Sequence, residues 1–265
     1  MLLDISHETT YRYRAPVNYS VQYLRLTPRT DRGQRVLNWR LDTPGRRWAQ
    51  RDAFGNITHT ISITEPHDSI RISIRGTVET RDESGYPIPE VGNVPVTAFL
   101  FPTMLTTANA AILELAALLV TANSDRRSAL LTLAATIESK VRYIPGTTDA
   151  QSTAVQALEQ GSGVCQDHAH IFIACCRAAG IPARYVSGYL FTGEHHLASH
   201  AWAEAWSGDE GWIEIDITNS RLAGADTCRL AVGRDYRDAS PLRGVRQGGG
   251  QEELDVVVRV RDAGQ

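Results

Sequence analysis

Lysine is almost absent from this chain of 265 residues: Lys140 is the single lysine among 27 basic residues, and all the others are arginines. Acidic residues number 30, which leaves a formal net charge of −3. Proteins that bind nucleic acid without sequence preference need a basic face. The charge balance therefore predicts that nucleic acid is not a partner.

Long apolar runs are absent as well. No stretch approaches the roughly 18 apolar residues of a membrane-spanning helix. The first residues, Met1-Leu-Leu-Asp-Ile-Ser-His-Glu, have neither the basic segment nor the apolar segment of a secretory signal peptide. We therefore expect no membrane partner and no cleaved leader.

Cysteine is scarce, and its spacing is not that of a disulfide framework. The four cysteines are Cys165, Cys175, Cys176 and Cys228; two are adjacent, and three fall within twelve residues. This distribution indicates a reducing, cytoplasmic location in which at least one thiol is free to react.

Paired metal-ligand motifs are also missing, because the sequence contains neither a C-x-x-C nor an H-E-x-x-H spacing. A zinc site formed by Cys165, His168 and a loop histidine, either His195 or His196, is the alternative. Without a paired motif to support it, we expect no metal and no cofactor.

The first 80 residues show the alternation of a half-buried strand. Segments 8–14, 58–64 and 69–80 alternate apolar with polar residues. Turn signals rich in glycine, proline and aspartate separate these segments. Several short strands at this spacing predict an all-β sandwich.

The composition shifts between residues 82 and 103, which are rich in glycine and proline. The length allows two domains, so we predict an N-terminal β-sandwich domain of residues 1–85 and a second domain of residues 86–265. The second domain begins with a helical pattern at 108–142 and continues with a helix that starts at Cys165, a strand and a hairpin.

Cys165 stands where a glycine-rich turn enters a helix. The free N–H groups and the dipole of a helix N-terminus stabilise a thiolate, and the Cys165 N–H can donate to an oxyanion. Gly161 and Gly163 leave room for a substrate to approach the backbone. Most free cysteines are small buried hydrophobes. Cys175 and Cys176, mid-helix among apolar residues, fit that description, whereas Cys165 has polar neighbours.

His200 and Asp216 lie on the two strands of the predicted hairpin. If Trp206 pairs with Trp212, the even-numbered residues share one face, and His200 and Asp216 become near-diagonal neighbours. An acid bonded to one imidazole nitrogen fixes the tautomer, while the other nitrogen takes a thiol proton. The order Cys165, His200, Asp216 therefore points to a cysteine nucleophile with a base and an orienting acid.

Several segments resemble the transglutaminase-like cysteine enzymes of bacteria. They are Gly163-Val-Cys-Gln-Asp-His-Ala-His, Ala179-Gly-Ile-Pro-Ala-Arg-Tyr-Val-Ser-Gly-Tyr, His200-Ala-Trp-Ala-Glu-Ala-Trp and Gly211-Trp-Ile-Glu-Ile-Asp-Ile-Thr-Asn. Residues 143–148, residues 233–244 and the N-terminal β region are similar to the same family. The resemblance thus covers nearly the whole chain.

This resemblance implies an α+β fold, in which an N-terminal all-β sandwich precedes a papain-like core whose cysteine-bearing helix packs on an antiparallel sheet. It also implies a catalytic triad of Cys165, His200 and Asp216. Two positions depart from the family pattern. Ile217 stands where proline is usual, and His168 stands where an aromatic residue is common.

The implied activity is acyl chemistry on an amide or peptide through a thioester. Water as the acceptor makes a peptidase or amidase and an amine makes a transglutaminase; we favour hydrolysis, because no gate against water is apparent. A binding or scaffold protein that keeps the fold without chemistry is the alternative. The expected partner is a peptide, a protein or an amide-containing small molecule, and a homo-oligomer is an open possibility.

Further contacts to the substrate or its oxyanion are predicted from residues near the triad in sequence: Gln160, Gln166, Tyr143 and Trp202. Asp167 either binds substrate or stabilises the helix N-terminus, and we favour the second role. The N-terminal domain either positions substrate or closes one side of the cleft.

Overall fold

The computed structural model describes residues 1–82, 88–121, 125–193, 199–208 and 211–264. Its strands are β1 (Leu2–Thr27), β2 (Gln34–Asp42), β3 (Arg46–Arg51), β4 (Ile57–Ile63), β5 (His67–Thr80), β6 (Arg142–Tyr143), β7 (Ser162–Gly163), β8 (Ala183–Leu190), β9 (Ser199–Trp206), β10 (Trp212–Asp216), β11 (Arg221–Leu222), β12 (Thr227–Gly233), β13 (Leu242–Gly248) and β14 (Glu252–Asp262). Its α-helices are α1 (Ala110–Thr121), α2 (Arg126–Lys140), α3 (Ala154–Gln160), α4 (Cys165–Ala178) and α5 (Tyr236–Ala239). Two short 3₁₀ helices precede α1, at Val96–Leu100 and Met104–Thr106.

The N-terminal sheet is built on β1. The first half of β1 pairs antiparallel with β5 along one edge and with β14 along the other. Its second half pairs with β4 and β13. The strands β2 and β3 extend the sheet beyond β5 and β4. The prediction of an N-terminal all-β domain is confirmed, and one long strand joins its two halves.

Alternation along β5 shows why this region folds as sheet. Ile70, Ile72 and Ile74 are buried, whereas Arg71 and Arg75, at alternate positions, are exposed. Successive side chains of a strand point to opposite faces, so the isoleucines enter the core and the arginines remain in water. The apolar alternation in the sequence is therefore the burial pattern of the strand.

The C-terminal strands depart from the predicted domain division. That division placed residues 86–265 together, but β13 and β14 pair with β1 and so belong to the N-terminal sheet. The alternating pattern of β14 marks it as a strand and carries no information about which distant strand it pairs with. The pairing of β14 with β1 joins residues that are more than 200 positions apart, as in the pair Thr9 and Val256.

The second sheet has the strand order β11-β10-β9-β8-β12, and all its pairs are antiparallel. Helix α4 packs against β8 and β9 and against α1, α2 and α3. Every residue from Asp167 to Arg177 is buried, as in a helix that is enclosed on all sides. The predicted cysteine-bearing helix packed on an antiparallel sheet is confirmed.

The two sheets share apolar contacts. Tyr189 of β8, with Cys228 and Leu230 of β12, packs into the core of the N-terminal sheet. This contact holds β1 and β14 beside the N-terminus of α4. Within the described residues, no helix is long and apolar enough to cross a membrane.

Candidate active site

Cys165 is the first residue of α4, and its side chain is half-buried. Val164 before it is extended, with φ −123° and ψ −175°. The first N–H groups of a helix have no acceptor within the helix, and the helix dipole adds partial positive charge at that end. The Cys165 sulfur therefore lies where an anion is favoured.

Asp167 holds this turn in place. Its carboxylate accepts hydrogen bonds from the Val164 N–H at 2.8 Å and from the Thr148 hydroxyl at 2.6 Å. Its side chain is fully buried. Burial raises the pKa of Asp167, although both hydrogen bonds act in the opposite direction. Asp167 therefore stabilises the start of the helix, which is the role favoured from the sequence.

The turn also explains Gly163. A β-carbon at this position would lie 2.7–2.9 Å from the side-chain atoms of Asp167. The expectation that Gly163 leaves room for substrate is wrong, because Asp167 fills this space. Gly161 ends α3 in the left-handed conformation, with φ 66°, which glycine adopts without a steric penalty.

His200 and Asp216 meet across the hairpin of β9 and β10. Trp212 pairs with Trp206, so the register assumed from the sequence is confirmed. His200 Nε2 lies 2.9 Å from Asp216 Oδ1. Asp216 is fully buried, and the Asn219 side-chain amide donates to its other oxygen at 2.7 Å. The carboxylate is thereby fixed behind the imidazole.

The electrostatics of His200 are set by its two neighbours. Burial lowers the pKa of His200, but hydrogen bonds to Asp216 and to Cys165, together with their negative charges, raise it to about 10. Burial raises the pKa of Asp216, and the hydrogen bond to His200 and its positive charge bring it below the ordinary value. Because Asp216 occupies Nε2, Nδ1 remains for Cys165. The arrangement favours a protonated His200 bonded to an ionised Asp216 at neutral pH.

Trp202 lies behind His200. The two rings stack with centroids 6.0 Å apart and an interplanar angle of 28°. Trp202 is fully buried, and its indole N–H donates to Glu214 Oε1 at 3.0 Å. The prediction of a substrate or oxyanion contact from Trp202 is wrong, because its only polar group is already used inside the protein. The ring supports His200 instead.

The other three predicted contacts have different positions. Gln166 lines the cavity in front of Cys165, and its amide donates to the Asp149 carbonyl at 3.2 Å. Gln160 does not reach the cavity, because its amide donates to the Thr147 carbonyl and to Ser162 Oγ. Half-exposed Tyr143 is close to Cys165; burial raises its pKa, and the charge of Cys165 adds to this.

His168 is buried and is used structurally. Its Nε2 lies 2.8 Å from the Val141 carbonyl, and its Nδ1 lies 3.0 Å from the Thr218 hydroxyl. With both nitrogens engaged, it is not available as a metal ligand. His195 and His196, the loop histidines of the zinc alternative, lie outside the described residues. Among the residues that the structure does describe, no three histidine, cysteine or acidic side chains are grouped to hold a metal ion.

The remaining cysteines are buried apolar residues. Cys175, Cys176 and Cys228 are free thiols with no exposed surface. Burial raises the pKa of Cys175 and of Cys228 to about 12, and that of Cys176 well above its ordinary value. The distinction drawn from the sequence between Cys165 and the mid-helix cysteines is confirmed.

A cavity of about 320 Å³ lies in front of Cys165 and His200. Part of its lining comes from the N-terminal sheet, through Thr9 and Tyr11 of β1 and through Leu254 and Val256 of β14. None of these four residues was predicted to belong to the site. Their alternation marks them as strand positions with a common face, but only the long-range pairing of β1 with β14 brings that face to the cysteine.

Comparison with known proteins places the chain in a family. The sequence matches the model of the bacterial transglutaminase-like N-terminal region over residues 3–79 and the model of the transglutaminase-like superfamily over residues 114–217. Residues 114–217 include Cys165, His200 and Asp216. The chain belongs to the transglutaminase-like superfamily and carries the N-terminal region that is typical of its bacterial members.

Individual relatives agree with this assignment. An uncharacterized protein of Mycobacterium leprae is 34% identical over 279 residues, which cover 97% of this chain and 98% of that protein. A solved structure of a candidate cysteine protease from Cytophaga hutchinsonii is 26% identical, has a TM-score of 0.79 and covers 98% of this chain and 90% of that chain. A protein-glutamine gamma-glutamyltransferase of Pseudomonas aeruginosa is 31% identical over 119 residues, which are 40% of this chain and 18% of that protein.

Proposed function

We propose that this protein is a cysteine-dependent enzyme that cleaves amide or peptide bonds through a thioester on Cys165. The observation that carries the proposal is the alignment of Cys165, at a helix N-terminus and in a cavity, with His200, whose far nitrogen is bonded to Asp216 at 2.9 Å. A nucleophile, a base and an orienting acid in this order are the parts that acyl transfer requires.

In the first half of the reaction, the Cys165 thiolate attacks the carbonyl carbon of the substrate amide. The negative charge that develops on the carbonyl oxygen is stabilised by the N–H groups of the first turn of α4, with the Cys165 N–H foremost. His200 then gives its proton to the leaving amine, the C–N bond breaks, and a thioester remains. Asp216 keeps the His200 ring oriented throughout.

In the second half, a water molecule attacks the thioester carbonyl. His200, now neutral, takes a proton from this water, and the carboxylic acid leaves as the Cys165 thiolate re-forms. We favour water over an amine as the acceptor. Support comes from the Cytophaga hutchinsonii structure, which resembles 98% of this chain and is described as a candidate cysteine protease. The likeness to the glutamyltransferase covers 40% of the chain.

The expected substrate is a peptide, a protein or a small amide, and the proposed location is the cytoplasm. Four free thiols support a reducing compartment. No cofactor enters the proposed reaction, since the thiol and the imidazole supply both the nucleophile and the acid.

Product analysis tests the proposal. The purified protein is incubated with a library of peptides, with and without a primary amine such as cadaverine. The masses of the products are then measured by mass spectrometry. Hydrolysis gives cleaved or deamidated peptides that the amine does not change, whereas a mass increase equal to the bound amine would mean transfer. The Cys165→Ala variant must lose the activity. Equal turnover by this variant would overturn the proposal, and the Cys228→Ala variant serves as the matched control.

A further inference from the structure

The wall of the cavity opposite the core comes from two paired strands. Thr9 pairs with Val256 and Tyr11 pairs with Leu254 in the antiparallel register of β1 and β14. Directly opposite residues of such a pair have side chains on the same face and in contact. All four residues line the cavity that contains Cys165 and His200. The N-terminal sheet therefore presents one continuous patch to the site.

The side chains on one face of β14 become more exposed at the point where the strand reaches the cavity. Val258 and Val260 are 6% and 8% exposed, whereas Val256 and Leu254, on the same face of the strand, are 38% and 56% exposed. The first pair is covered by the core of the N-terminal sheet. The second pair is left uncovered at the cavity. Contiguous exposed apolar side chains of this kind mark a binding surface rather than a folding core.

Apart from the pair His200 and Cys165, the described side chains that line the cavity carry no charge. None of the described residues that line it is an aspartate, a glutamate, a lysine or an arginine. His7, which lies next to the patch, bonds to Tyr189 Oη through Nδ1 and to Thr9 Oγ1 through Nε2. Burial lowers the pKa of His7 to about 4, so the ring is neutral at neutral pH. A charged substrate group placed against Tyr11, Leu254 and Val256 would lose water without gaining a partner.

We propose that Tyr11, Leu254 and Val256 form a specificity subsite that takes an apolar or aromatic side chain next to the carbonyl attacked by Cys165. The proposal rests on the proposed function of Cys165 and adds the substrate class to it. It also assigns a role to the N-terminal sheet, which completes the substrate site in addition to closing one side of the cleft. The favoured substrates carry residues such as phenylalanine or leucine at this position and exclude acidic and basic ones.

Labelling of Cys165 with chloromethyl ketones tests the subsite directly. The rates for acetyl-phenylalanyl, acetyl-glutamyl and acetyl-lysyl chloromethyl ketone are each divided by the rate of the same reagent with glutathione, which removes differences in intrinsic reactivity. Burial of a phenylalanine side chain is expected to give the first reagent an advantage of at least about tenfold. The Leu254→Asp variant is expected to lose this advantage and to label faster with the lysyl reagent than the unmodified protein does.

The matched control is Val257→Asp. Val257 is on the same strand, is 41% exposed and does not line the cavity, so its substitution should leave all the ratios unchanged. Iodoacetamide, which carries no side chain, should label Cys165 equally in both variants. Equal rates with apolar and charged ketones would overturn the subsite, as would an equal effect of Val257→Asp. Slow labelling of Cys165 by iodoacetamide in every protein would instead overturn the proposed function. The ratios of the ketone rates can still be measured in that case, so the two failures are distinguishable.

Discussion

His200 Nε2 and Asp216 Oδ1 lie 2.9 Å apart, although sixteen positions separate the residues in the chain. The contact depends on the pairing of Trp206 with Trp212, which places the histidine and the aspartate on one face of the hairpin. It fixes which imidazole nitrogen is left for the cysteine. The protonation of His200 therefore depends on the register of the hairpin.

The first prediction concerns the pH dependence of peptide cleavage. The hydrogen bond and charge of Asp216 help to raise the pKa of His200 to about 10, and in the proposed mechanism His200 must be protonated to expel the amine. We expect kcat/KM to fall on the alkaline side near pH 10 in the unmodified protein. In Asp216→Asn this limb moves to lower pH, because a cause of the raised pKa is removed, and the maximal rate falls about 10²- to 10⁴-fold.

The control for this substitution is Asp42→Asn. Asp42 pairs with Arg40 at 2.8 Å on the exposed surface of β2, away from His200 and Asp216, so the pH profile should be unaltered. An alkaline limb that stays near pH 10 in Asp216→Asn would contradict the role given to Asp216.

The second prediction concerns thiol reactivity. At pH 8, a thiol with a pKa of about 12, as in Cys175 and Cys228, is about 0.01% thiolate, and burial also blocks access. We expect iodoacetamide to modify one cysteine of the native protein quickly, and all four after denaturation. Peptide mapping by mass spectrometry identifies the modified residue. Fast labelling of any cysteine in native Cys165→Ala would count against the assignment.

The third prediction concerns the turn before α4. Gly163→Ala places a β-carbon within 3 Å of Asp167, which must move and so weaken its bond to the Val164 N–H. We expect a loss of about 1–3 kcal/mol in the free energy of unfolding, with slower alkylation of Cys165. Gly33→Ala is the control, because nothing lies within 4 Å of its β-carbon. Urea unfolding curves of the two variants that coincide would refute this account.

The fourth prediction separates support of the base from contact with substrate. Trp202→Phe keeps a ring behind His200 but removes the hydrogen bond to Glu214. We expect a loss of about 1–3 kcal/mol in stability and an unchanged KM for peptides, since Trp202 does not reach the cavity. A large rise in KM at unchanged thermal stability would restore the substrate contact that the sequence analysis proposed.

The predictable parts of the site are those that local rules govern. The hairpin around His200 and Asp216 is short, and the alternation of its strands specifies the faces once the register is set. The helix start at Cys165 is marked by glycines on one side and a polar first turn on the other. Such patterns involve neighbours in sequence, and they suffice to bring His200 beside Asp216 and to put Cys165 at the start of α4.

The parts that sequence reasoning missed depend on distant pairs or on the direction of a side chain. Thr9 and Val256 meet only through strand pairing across nearly the whole chain, and nothing in either segment names its partner. Trp202 was named as a contact because it lies two residues from His200, and closeness in sequence does not give the direction of a side chain. Its stacking on His200 and its bond to Glu214 turn the ring inward.

The two walls of the cavity also form at different times during synthesis of the chain. The cysteine, the histidine and the aspartate lie within residues 165–216. The opposite wall of the cavity needs β1 and β14, in which residues 3–13 pair with residues 252–262. Chains fold from the N-terminal side during synthesis, and contacts of long sequence separation form late. A nascent chain therefore forms the helix and the hairpin that carry Cys165, His200 and Asp216 before β14 completes the opposite wall of the cavity.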